Sequence, residues 1–157
     1  MKSYWKYLLY ILEHKLNVLL ECWKEGLYVQ GMMHDMSKFN PIEFFPYARK
    51  FYLNKKLDEF EWEYAWLHHQ HHNKHHWNYW VVDSVKREAL PMPRKYLLEM
   101  ICDYRSFSRT WGRKRIDTDM ADRLIRNLLT EKVILHPKTR KECEFFIRKI
   151  NESNIAK

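Results

Sequence analysis

At 157 residues the chain is one domain's worth of polypeptide, long enough to bury a real core. Three glycines and five prolines beside 16% aromatics exclude a turn-rich β-sandwich and a disordered chain, and favour an all-α protein. The net charge of +8 points to an anionic partner (a nucleotide, a nucleic acid or another phosphorylated ligand) or to solubility alone.

No uncharged apolar run approaches the roughly 18 residues of a membrane span. Lys6, Glu13, His14 and Lys15 interrupt what would be a secretory apolar region, so neither a leader nor a membrane partner is expected. Cys22, Cys102 and Cys143 are odd in number, far apart and without a CxxC spacing. They read as reduced, buried thiols of a cytoplasmic protein.

The first predicted helix covers 4–24, with Tyr4, Leu8, Ile11, Leu12, Leu16, Leu19, Leu20 and Trp23 at helical spacing and Gly26 as its stop. His14 lies within it. A second helix is expected over about 27–36, placing His34 and Asp35 near its C-terminal end. Asn40-Pro41-Ile42-Glu43 signals a third start, Asn as cap and Pro at the first helical position, for a helix to about residue 54. Asp58-Glu59-Phe60-Glu61 resembles a capping box opening a helix that runs into a histidine-rich segment. Beyond Pro91 and Pro93, a helix is expected over 94–111, with Tyr96, Leu97, Met100, Ile101, Tyr104 and Phe107 on its apolar side. A basic loop, Arg113-Lys114-Arg115, precedes helices over about 119–132 and 137–151, and His136-Pro137 reads as a helix-start element. No repeat or linker interrupts 1–157, so a single compact bundle of six or seven helices is expected.

Three features carry chemistry. The His34-Asp35 pair offers an imidazole and a carboxylate side by side to a divalent cation; its bland reading is a capping Asp beside a core His. The stretch 68–76 holds six histidines in nine residues. It reads as a solvated face or as a metal site in which two of them are ligands or phosphate contacts, and Trp66, Trp77 and Trp80 read as core residues. Asp103, in mid-helix among apolar residues, needs a partner: Arg105, Arg109 or a metal ion.

His14, His34-Asp35 and Asp103 occur in an order that resembles the H…HD…D signature of the HD-domain superfamily of metal-dependent phosphohydrolases. The resemblance implies an HD-like helical bundle in which His14, His34, Asp35 and Asp103 bind one divalent ion. Members with a second ion add histidines where His69, His72, His75 and His76 lie; in that version Asp35 bridges, and His69 and His76 hold the second ion. A closer likeness runs through His34 to Phe39, Pro41 to Phe44, Tyr47-Ala48, His69 to Asn73, His75 to Trp77, Met100 to Asp103 and Leu135 to Pro137. Over nearly the whole chain it is similar to an uncharacterised family of bacterial and phage proteins, a domain of unknown function.

The expected activity is hydrolysis of a nucleotide or related phosphate ester by a metal-activated water. Asp35, Lys38 and His69 are the expected catalytic residues. Lys38, Asn73, Arg105 and Arg109 are expected to meet the substrate, with Glu43 and Asn73 as supporting contacts. One or two ions of Mn, Fe, Co, Ni or Zn suit such donors. The alternatives are a basic nucleic-acid-binding protein, using 113–115, Lys138, Arg140, Lys141, Arg148 and Lys149, and a metal-binding protein without turnover.

Overall fold

The computed structural model describes residues 2–53, 57–107 and 125–155. It divides into two units, 1–74 and 75–157. Apart from one short hairpin, the described chain is all-α, as the composition implies. Among the described residues no helix is long and apolar enough to cross a membrane.

The first unit begins with α1 (Lys2–Lys24). Its buried stripe is Tyr7, Ile11, His14, Val18 and Cys22, a run of three- and four-residue steps along one helix face. The sequence pattern emphasised a different face: Leu12, Leu16 and Trp23 are exposed, while polar Asn17 and Glu21 join the buried side. At the end of α1, Gly26 takes a left-handed φ of +73°. The Gly26 amide donates to the Trp23 carbonyl and the Leu27 amide to that of Cys22, the paired bonds of a Schellman stop.

Next comes α2 (Tyr28–Met33), shorter than expected. His34 is non-helical, and Asp35 has φ 52° and ψ 29° in the left-handed region. The His-Asp pair therefore lies on a break between α2 and a 3-10 turn (Met36–Phe39), not on a continuous helix. The expectation of a helix to residue 36 fails because Asp tolerates this conformation better than most side chains.

The third helix, α3 (Pro41–Tyr52), starts as its sequence predicts: Asn40 Oδ1 accepts from the Ile42 amide at 3.0 Å. Helix α4 (Glu59–His72) has Asp58 at its N-cap, but that side chain makes no capping hydrogen bond, so the capping box does not form. Rings of Tyr7, Tyr47, Phe44 and Trp62 build this unit's core around Ile11, Ala48 and Ala65.

In the second unit a 3-10 turn (Trp77–Trp80) leads into β1 (Val81–Asp83) and β2 (Glu88–Ala89). The strands are antiparallel, Val81 opposite Ala89 and Asp83 opposite Glu88. The Asp83 carboxylate accepts from the Val85 and Lys86 amides, both at 2.9 Å, and fixes the turn. No strand was anticipated here. Helix α5 (Arg94–Ser106) and helix α6 (Pro137–Ile155) follow. Leu97, Met100, Ile101, Ile125, Leu128 and Cys143 form the core, with Trp77 and Trp80 packed against it. His136 Nδ1 accepts from the Lys138 amide at 3.1 Å, confirming 136–137 as a helix start. The described part of the helix expected over 119–132 is helical at 125–127 and gives way to turns. The 113–115 loop lies outside the described residues. All three cysteines are free and buried, and burial pushes the Cys143 thiol up to about 11.

Candidate metal centre

His14 reaches the interior because it occupies one step of the buried α1 stripe. Gly31 then lets α2 press against α1: a Cβ there would lie 2.9 Å from Cys22 Cβ and 3.1 Å from Leu19 Cα. Only glycine permits that approach. From α1, Lys15 donates to the carbonyls of Met32 and His34, satisfying groups at the end of α2. The left-handed turn at Asp35 completes the placement.

His34 and Asp35 are 1% and 2% exposed. Asp35 Oδ2 lies 3.4 Å from His34 Nε2 and 3.8 Å from His14 Nε2. Its other oxygen, Oδ1, is 3.6 Å from Nε2 of His69 on α4. Lys38 Nζ makes a closer ion pair with Oδ2, at 2.7 Å. His14, His34 and Asp35 offer one ligand atom each, all within 4.8 Å of one another. Two imidazoles and a carboxylate form a donor set that fits a divalent transition metal.

Glu43 stands behind this group. It is 0% exposed and accepts from His68 Nδ1 at 2.6 Å, His69 Nδ1 at 2.8 Å and Ser37 Oγ at 3.0 Å. Burial alone would raise its carboxyl; hydrogen bonds and charge from His69, with bonds from His68 and Ser37, outweigh it and hold the group below its ordinary value. The ionised carboxylate fixes the His69 proton on Nδ1 and leaves Nε2 directed at Asp35. Asn73 donates to Ser37 Oγ at 2.6 Å and to the His69 carbonyl at 2.7 Å, so its buried amide supports α4 and the Glu43 network.

Of the six clustered histidines, the structure brings His69 to the Asp35 carboxylate and His68 to Glu43. His71 and His72 are exposed, and His72 Nδ1 turns back to the His68 carbonyl at 2.8 Å. The helix expected to run into the histidine-rich segment ends at His72, before His75 and His76. Trp66 is 38% exposed, contrary to its reading as a core residue.

The remaining candidates lie in the second unit. His75 Nδ1 is 3.2 Å from Glu99 of α5, and both are buried. His76 is half-buried, its ring centroid 4.3 Å from that of His75. Asp103 is buried one turn beyond Glu99 on α5, and its carbonyl accepts from Ser106 Oγ at 2.6 Å. Arg105 is half-buried; Arg109 lies outside the described residues. The sequence expectations assign no role to Ser37 or to Tyr7 and Tyr47 beside Lys38, although Ser37 and Tyr47 fall within the stretches of family likeness and Tyr7 shares the α1 stripe with His14.

Fold and donors together define an all-α protein whose buried His and Asp side chains can hold a metal ion. The chain belongs to the family of unknown function DUF5662, which residues 3–149 match. No curated protein and no solved structure matches it.

Proposed function

We propose that this protein is a metal-dependent phosphohydrolase acting on a nucleotide or related phosphate ester, with a divalent transition-metal ion at His14, His34 and Asp35. The observation that carries this reading is the spacing around Asp35. Imidazole Nε2 atoms face the buried carboxylate at 3.4, 3.6 and 3.8 Å, beyond hydrogen-bond length. Donors sharing a tetrahedral ion with bonds of roughly 2.1 Å lie roughly 3.4 Å apart.

When bound, a divalent ion polarises a phosphoryl oxygen and lowers the pKa of water. The chain's own groups do the rest. Glu43 holds the His69 ring with Nε2 toward Asp35 Oδ1, while Oδ2 lies toward His14 and His34, which with Asp35 would hold the ion. Lys38 sets a cation beside Asp35, where it can meet a phosphate oxygen as a point charge. The net charge of +8 favours an anionic substrate.

The test is elemental analysis of untagged wild type, Asp35→Ala and His14→Gln, followed by nucleotide and phosphate-ester assays with Mn or Co. The expected result is near-stoichiometric metal in the wild type, its loss from both variants, and metal-dependent phosphate release. Metal retained by both variants, or absent from reconstituted wild type, overturns the site. Bound metal without turnover of any ester overturns the hydrolase assignment.

A further inference from the structure

Helix α1 carries its polarity the wrong way round for a surface helix. Its inward face takes in His14, Asn17 and Glu21, while between residues 7 and 22 the exposed positions are Leu9, Leu12 and Leu16. A helix covered on one side only keeps charged and polar groups on the other, and one that is apolar on both sides is covered on both. Trp5 and Trp23 extend the outer row to the two ends of α1, and these five side chains are 39–61% exposed. Leu19, half-buried beside Gly31 of α2, falls in the same row.

The spacing of the row tells what covers it. Trp5, Leu9, Leu12, Leu16, Leu19 and Trp23 follow one another by alternating steps of four and three residues, the a/d repeat of a coiled-coil seam. The row also reads the same from either end. Trp5 and Trp23, Leu9 and Leu19, and Leu12 and Leu16 are like residues placed symmetrically about position 14. Two copies of α1 laid antiparallel about a two-fold axis therefore set like against like in every layer. An isologous contact has this property, residue i meeting j while j meets i. A partner of another kind places no such demand on the row.

The area agrees. The row runs for roughly 27 Å at 1.5 Å per residue. It continues onto α2, where the Tyr28 ring meets that of Trp23 edge to face at 5.5 Å and Met32 and Met33 are exposed. Three half-exposed aromatic rings with the leucines and methionines present on the order of 1,000 Å², against roughly 800 Å² per partner in a stable interface. Trp, Tyr and Met are also the residues that interface cores favour, and charge is what they shed. Lys15 and Lys24 beside the row are engaged within the chain, by the Met32 and His34 carbonyls and by Glu21, where a membrane-lying helix keeps free cations.

We infer that α1 is a dimerisation helix: two copies of the chain pack antiparallel along the Trp5–Trp23 row, on the side of the helix away from His14. The contact is independent of the metal centre and of the reaction proposed for it.

The experiment is sedimentation equilibrium of the untagged full chain, as wild type, Leu12→Glu, Leu16→Glu and the double variant Leu12→Glu with Leu16→Lys, with circular dichroism and co-sedimentation with phosphatidylcholine–phosphatidylserine vesicles. Wild type is expected to be a dimer whose melting temperature rises with protein concentration. Each single variant should raise the dissociation constant by roughly a hundredfold or more, because symmetry places the charge in the seam twice. Helix content should hold, since both leucines face solvent in the single chain. The double variant should dimerise at least tenfold more tightly than either single one: position 12 of one copy faces position 16 of the other, so opposite charges meet.

A monomeric wild type overturns the proposal, and binding of that monomer to the vesicles gives the face to a lipid surface instead. A dimer that survives both single changes lies on another face and overturns the seam. Loss of helix content in the single variants places the leucines inside the chain and overturns their role. A double variant no tighter than the single ones overturns the antiparallel register.

Discussion

Asp35 and Glu43 sit in the same unit, and both are buried carboxylates facing imidazoles. At Glu43 the partners close to hydrogen-bond length: 2.6 Å for His68, 2.8 Å for His69 and 3.0 Å for Ser37. Around Asp35 three imidazole nitrogens lie at 3.4 to 3.8 Å, and Lys38 makes an ion pair at 2.7 Å. His69 touches both carboxylates, one through each ring nitrogen. Similar residues thus stand in two arrangements: donors at hydrogen-bond length around Glu43, and around Asp35 a wider group of donors that could hold a metal ion.

The sharpest test of this contrast is to remove each carboxylate in turn. Glu43→Ala leaves two imidazoles and a hydroxyl without their acceptor, and urea unfolding is expected to show a loss of about 3–5 kcal/mol. Asp35→Asn is nearly isosteric, and Lys38 borders an open cavity. It should cost about 1 kcal/mol, while abolishing metal uptake. Equal destabilisation by the two would erase the contrast and make Asp35 another structural anchor.

Acid separates the two groups by a second route. Glu43 is held below its ordinary value of 4.5 in the folded state. Its contribution to stability is therefore present above the unfolded-state value and lost as pH falls through the lower folded-state one. Melting temperature followed from pH 6 downwards should fall more steeply below about 4.5 in wild type than in Glu43→Gln; parallel curves would show that Glu43 is not the group concerned.

Smaller effects refine the picture. Gly31→Ala forces a methyl to 2.9 Å from Cys22 Cβ and 3.1 Å from backbone at Leu19. A loss of about 1–3 kcal/mol is expected, with weaker metal binding because the His34-Asp35 turn shifts from His14. Unchanged metal affinity would free the centre from the α1–α2 approach. Ser37→Ala removes one donor to Glu43 and the acceptor of Asn73, and should cost about 1 kcal/mol in chemical unfolding. A neutral outcome would reduce the anchor to its two imidazoles.

Much of this architecture was legible in the sequence. Asn40-Pro41 and His136-Pro137 announce helix starts by local rules, a proline in the first turn of both and an Asn cap in the first, and both hold. His14, His34 and Asp35 were legible as a possible ligand group through their residue types and order. The break at Asp35 was not, because a left-handed backbone at a non-glycine residue leaves only a weak trace in composition. The end of α4 was obscured for a related reason: Asn73 bonds the His69 carbonyl, so a side chain closes a helix that helical periodicity would extend through the histidines. The α1 stripe misled because polar His14, Asn17 and Glu21 take inward positions while leucines stay outside. A hydrophobic pattern cannot show that choice.

Lys38 belongs to two places at once, paired with Asp35 and bordering the cavity lined by Tyr7, Tyr10 and Tyr47. On the proposed function, a cation taken up at the carboxylate would compete with Lys38 there, and an anion that attracts Lys38 would loosen its hold on the carboxylate. Equilibrium thermodynamics makes such assistance mutual: the factor by which the cation improves the anion's affinity equals the factor by which the anion improves the cation's. On the proposed function, one side chain would couple the carboxylate to the cavity.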